Sequence, residues 1–217
     1  MAVRPLYPRQ LAYSNFVHDY PEDLYWEVKK GPKEDLSGEE EYYSFHLPEN
    51  TDRVKGVMAV ILKDTPDQKD LPAIERREGK DWIGMRMKYN GKVTDIYINQ
   101  LADGRLMHLN SWINADGWDT DAYMLAVSYP EGGDAKNPEE VFIGHGSSLK
   151  RGKDVYFSSL SKLNMIARKD GGKLDMNVAG QPRINMKYKD SPSTLTVNGK
   201  VEKINREGNF IKVKFHE

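Results

Sequence analysis

Not one of the 217 residues is cysteine. That excludes disulfide staples, thiol nucleophiles and zinc sites built on sulfur, while leaving the compartment open. Long apolar runs are missing too, since none approaches the roughly 18 residues of a membrane-spanning helix. An excess of one charge is also absent. Thirty-three acids stand against 32 bases, so no global field draws the chain to nucleic acid or to anionic lipid, and neither is expected as a partner. The opening MAVRPLYPRQ has no apolar core of the kind a signal peptide needs. The reading is therefore that this chain carries no signal peptide, and that an exported parent would be a longer precursor. No loop cradles a phosphate. Gly144-His145-Gly146 lacks a following helix and reads as a place where one backbone passes close to another. Ser147 and Ser148 sit in no nucleophile elbow. No linear motif calls for a metal or cofactor.

What is present is a period of two. The apolar fraction is 38% and the charged fraction 30%, as in a globular chain able to bury roughly 70% of its unfolded surface. YYSFHL, WIGMRMKY, VTDIYINQ, DAYMLAVSY, VFIGHGSSL, DVYFSSL and KLDMNVAG alternate, with Leu174, Met176 and Val178 on one face of the last. Between them stand Asn90-Gly91, Asp103-Gly104, Gly171-Gly172, Asn198-Gly199 and Glu207-Gly208, pairs suited to tight hairpins. RLMHLNSWI is read as a strand antiparallel to VTDIYINQ. SSLSKLNMIARK is amphipathic enough for a helix but sits among strands. Turn signals every 8 to 12 residues predict an all-β fold, an antiparallel β-sandwich in a many-stranded meander. Residues 1–41, punctuated by Pro5, Pro8, Pro21 and Pro32, read as an irregular N-terminal segment docked on the body. Residues 42–170 read as the main sandwich, and 171–217 as further strands of the same domain or a small subdomain.

The chemically richest stretch runs from Lys92 to Pro130. Tryptophan faces stack on sugars, while Arg, Asn and Asp bond hydroxyls and carboxylates, so Arg105, Asn110, Trp112, Trp118, Asp119 and Asp121 form a candidate carbohydrate contact surface. The simpler alternative has both tryptophans in the core and Asp116, Asp119 and Asp121 fixing a turn. His108 is either a half-buried strand histidine or a ligand-facing one. A metal site assembled in space from His108, Asp121 and His145 is a further arrangement the sequence permits. Lys150, Arg151 and Lys153 make a basic knot that reads as a solvated turn.

The order VTDIYINQLADGRLMHLNSW, GWDTDAYMLAVSY, VFIGHGSSLKR, VYFSSLSKLNM, with YYSFHLP, VKGVMAVILKD and AIERREG upstream, resembles the C-terminal β-sandwich region of heparinase II/III-like polysaccharide lyases over roughly residues 42–200. In that family an α/α toroid joins the sandwich, and a uronic-acid polysaccharide lying between them is cleaved by β-elimination. The resemblance implies a secreted or periplasmic bacterial parent, an acidic polysaccharide or oligosaccharide as ligand, and a helical toroid of the same parent as partner. His108 is the one position the resemblance offers as catalytic. This chain departs from the family in having no helical part, so it is expected to be a module of a lyase rather than a catalyst alone. Two alternatives stand beside it: a self-sufficient small lyase using Tyr97 or Tyr123 as base with Arg105 neutralising the sugar carboxylate, and an interaction domain without a small ligand.

Overall fold

The structure, a computed structural model, describes residues 2–7, 12–13, 25–34, 37–46, 57–61, 71–102, 111–179 and 186–213. Among these there is no helix. The chain divides into two compact units, Met1–Asp70 and Leu71–Glu217. In the first, β1 (Ala2–Tyr7) pairs antiparallel with β5 (Val57–Ile61). Also in that unit, β3 (Tyr25–Pro32) lies between β2 (Ala12–Tyr13), parallel to it, and β4 (Glu39–His46), antiparallel to it. Part of the N-terminal segment read as irregular thus supplies a full strand.

The second unit is one branched sheet. A continuous antiparallel path runs through β6 (Ala73–Glu78), β7 (Trp82–Tyr89), β8 (Lys92–Asn99), β11 (Met124–Pro130), β12 (Glu140–Arg151), β13 (Asp154–Asp170) and β14 (Lys173–Ala179). Next to β14 lies β16 (Thr194–Val197), the parallel exception, followed by β17 (Lys200–Glu202). The path is open at β6 and β17, so the sheet does not close into a barrel. Asn90 and Gly91, with φ of 49° and 71°, make the β7–β8 turn; Gly171-Gly172 and Asn198-Gly199 turn the chain in the same left-handed conformation. The Asp103-Gly104 turn lies outside the described residues.

The β12–β13 ribbon turns this sheet into two layers. Near Glu140–Gly144 its outer neighbours are β11 and β14. Near Leu149–Arg151 they are β10 (Trp118–Thr120) and β15 (Met186–Lys189), which lead on to β9 (Ile113–Ala115), β19 (Phe210–Val213) and β18 (Asn205–Glu207). Between the two ends the register slips at Ile143/Gly146, Gly146/Ser148 and Leu149/Lys150, which bends the ribbon. Strands that switch layers through such bulges make the corners of a sandwich. Its two halves share one core: Leu125, Val127, Ile143, Met165, Met176 and Leu195 from the first, Trp118, Leu149, Phe157, Met186, Tyr188 and Ile211 from the second. DVYFSSL and KLNMIAR, read separately from sequence, are a single strand of 17 residues. Leu174 and Met176 are buried on its neighbour β14, with Val178 packed against the same core.

The glycine pair at the bend behaves as its composition suggests. A Cβ on Gly146 would stand 2.7 Å from the Cβ of Ala122, too close for any side chain, so only glycine lets β12 pass that backbone. His145 between the glycines takes a φ of 52°.

Candidate functional site

The corner where β8, β9 and β11 meet is pinned by Asn99, fully buried at the end of β8. Its amide nitrogen donates to the carbonyls of Ser111 and Ala122 (3.1 Å to the latter). Its Oδ1 accepts from the backbone amides of Leu101 (2.9 Å) and Ala102 (3.2 Å). One side chain therefore fixes both flanks of the stretch 103–110. Arg105, His108 and Asn110 belong to that stretch and lie outside the described residues.

Trp112 and Trp118 part company. RLMHLNSWI is not one long strand at its described end: β9 begins only at Ile113, and it returns through an Asp116-Gly117 turn (φ 50° and 85°) into β10. That two-residue turn sets Ala115 opposite Trp118, so both point inward with Ile113. Trp118 is 1% exposed, edge-on to Tyr156 with centroids 4.9 Å apart, and Arg151 lies 4.7 Å from its ring centroid. It is a core residue and not a contact surface, which corrects its assignment to the sugar face. Trp112 has the opposite parity. It is 47% exposed, and the ammonium of Lys150 stands 5.5 Å from its ring centroid. Of the basic knot, Lys150 and Arg151 thus sit on aromatic faces, while Gly152 and Lys153 form the exposed β12–β13 turn.

The three acids of the GWDTD region diverge. Asp116 Oδ2 accepts from Arg77 (2.7 Å) and from the Tyr97 hydroxyl (3.1 Å). Asp119 accepts from Asn114 (2.7 Å), stiffening the β9–β10 hairpin. Asp121 is 5% exposed and holds the bulge of β12. Its Oδ1 accepts from the amides of Ser147 (2.8 Å) and Ser148 (3.0 Å), and its Oδ2 from the Ser147 hydroxyl (2.6 Å). Lys162 completes the set, 3.4 Å from Oδ2 and donating to the Asp121 carbonyl (3.1 Å). A carboxylate so fully engaged is a structural clamp, which removes Asp121 from the contact surface. The turn reading fits Asp116, which sits in the β9–β10 turn, and Asp119, which braces that hairpin, but not Asp121. Among the described residues no group of three or more acidic or histidine side chains is placed to hold a metal ion.

A second polar cluster has no counterpart in the sequence reading. Asp95, nearly buried on β8, takes a bidentate bond from Arg86 (2.6 and 2.9 Å) and a third from the Tyr129 hydroxyl (2.8 Å). The hydrogen bond to Asp95 raises the Arg86 guanidinium further above its ordinary range. Next along the same face is Tyr97, 2% exposed and packed edge-on against Trp82. Burial first, and then the charges of Asp95 and Asp116, push its phenol well above the ordinary tyrosine value. That is the wrong direction for a general base, and the buried ring donates its hydroxyl to Asp116. The signal was in the alternation: Val93, Asp95, Tyr97 and Asn99 share the buried face, and an acid on such a face needs a cation opposite it. Arg86 is its cross-strand neighbour.

No protein-family model matches the chain, and a search of curated proteins finds no match.

Proposed function

We propose that residues 71–217 form a carbohydrate-facing β-sandwich module that takes an acidic polysaccharide or oligosaccharide at the Trp112–Lys150 corner. The parent would be a periplasmic or extracellular protein of the heparinase II/III-like lyase type, with this module forming one wall of a glycan cleft and a helical domain the other. The observation that carries the reading is Trp112: a half-exposed indole with an ammonium over its ring, at the root of the stretch that bears Arg105, His108 and Asn110. An indole offers a flat apolar face to sugar C–H groups, and a lysine beside it offers a cation to a uronate. The residue order noted above supports the same ligand class. Trp118, Asp119 and Asp121 serve the scaffold in this reading, and chemistry is left to the parent's other domain.

Isothermal titration with uronic-acid oligosaccharides tests it. Binding is expected, weakened about tenfold in Trp112→Ala, equivalent to about 1.4 kcal/mol. The same samples should give no ultraviolet absorbance from unsaturated product. Absence of heat with every acidic glycan tried would remove the proposal, and turnover would revive the self-sufficient lyase.

A further inference from the structure

Away from that corner, a recess of about 270 Å³ opens at the mouth between the two layers. Both halves of β13 contribute to it, through Tyr156 near its start and Lys169 near its end. The turn after β11 bridges them: the Tyr156 hydroxyl donates to the Lys136 carbonyl (2.7 Å), and the Lys169 amide to the Glu139 carbonyl (2.8 Å). Asp134 braces the turn from within, accepting from the amide of Lys136. These bonds fix the turn that forms one side of the recess, while the side chains of Lys136, Asn137, Ser191 and Asn209 around it are exposed.

Its lining is strongly biased towards cationic donors. Lys136, Lys169 and Lys189 stand against one carboxylate, Asp190, and Asn137 and Asn209 add amides. Lys189 is positioned twice, 4.9 Å from the Tyr156 ring centroid and 2.9 Å from Asp154 Oδ1. Lys169 Nζ lies 3.1 Å from Asp190 Oδ2. The Lys189–Asp154 pair is partly solvated, and pairs of that kind contribute only about 0–1 kcal/mol, so an entering anion can draw on Lys189 at small cost, whereas Lys169 stays on Asp190, whose Oδ2 is buried. No carboxylate partner for the Lys136 ammonium is found among the described residues. The recess holds three lysines and no arginine. Lysine is a point charge, as at many phosphate sites, and three of them brought from the turn after β11, from β13 and from β15 can surround a compact oxyanion. The volume falls below the roughly 300–1,000 Å³ of drug-sized sites, which leaves space for one such group and the single ring that carries it.

We infer that this recess is an oxyanion site for a sulfate or phosphate group, free or esterified on one sugar residue. It stands on its own geometry, whatever binds at Trp112. The test is nuclear magnetic resonance of the full chain at constant ionic strength held with chloride. Inorganic sulfate, inorganic phosphate, a sulfated monosaccharide and its unsulfated parent are titrated to tens of millimolar. Saturable shifts at Asn137, Tyr156 and Asn209 are expected with the oxyanions, tighter with the sulfated sugar if the ester is the preferred form, and none with the unsulfated sugar. Lys136→Ala and, separately, Lys189→Gln should each weaken binding about tenfold while leaving the remaining spectrum in place. Shifts that fail to saturate, that the unsulfated sugar reproduces, or that persist unchanged in both variants would overturn the assignment.

Discussion

At the scale of single residues, the two tryptophans and Asp121 make opposite predictions. Trp118→Ala empties a fully buried volume and should cost about 3–5 kcal/mol in denaturant unfolding. Trp112→Ala removes a half-exposed ring and should leave stability within about 0.5 kcal/mol, so the two variants separate a core plug from a contact residue. Asp121→Ala strands two backbone amides and the Lys162 ammonium at the β12 bulge, and should lower stability by about 3 kcal/mol. A loss under about 0.5 kcal/mol would mean that the bulge does not depend on this carboxylate. Much of this was legible one residue at a time. Had Asp116-Gly117 been read as a two-residue hairpin, parity alone would have sent Ala115 and Trp118 inward and Trp112 outward. What could not be read was the choice of partner. Asp116, Asp119 and Asp121 look alike in the chain, and their different fates are set by Arg77, Asn114, Ser147 and Lys162, of which only Asn114 is near in sequence.

At the scale of elements, hairpin turns were the most readable feature because they demand positive φ, which few residues other than Gly and Asn accept. The 17-residue β13 was not readable as one strand. Its alternation breaks at Ser159-Leu160-Ser161, where the ribbon bends and Leu160 lies exposed, and a local break of that kind looks like a loop or a helix in the chain. The bend itself gives a prediction. Gly146→Ala places a methyl group against Ala122 and should either destabilise the fold by about 1–3 kcal/mol or force β11 and β12 apart. Amide hydrogen exchange at Tyr123, which donates to the Gly144 carbonyl, would report the separation. Unchanged stability and exchange would show that the bend does not need the missing side chain.

At the scale of the whole molecule, the buried phenols fix the response to alkali. Tyr97, Tyr129 and Tyr188 are all raised above their ordinary value, burial being the largest cause in each. The unfolded chain then loses these protons first as pH rises. Stability is therefore complete below about pH 10 and falls above it, a slope that urea midpoints taken across that range would record. Tyr97→Phe should flatten the slope, and an unchanged slope would show that Tyr97 ionises as freely in the fold as out of it. The all-β class was readable at this scale, whereas the branching of one sheet into two layers was not, because it depends on which neighbour each half of β12 and β13 selects.

The most direct measurement uses the tryptophans as reporters of position. In a ¹⁵N-labelled sample titrated with a uronic-acid oligosaccharide, the indole resonance of Trp112 should move and that of Trp118 should stay. Lys150→Ala should weaken the movement. A Trp112 signal that stays fixed through the titration would contradict the glycan-facing corner.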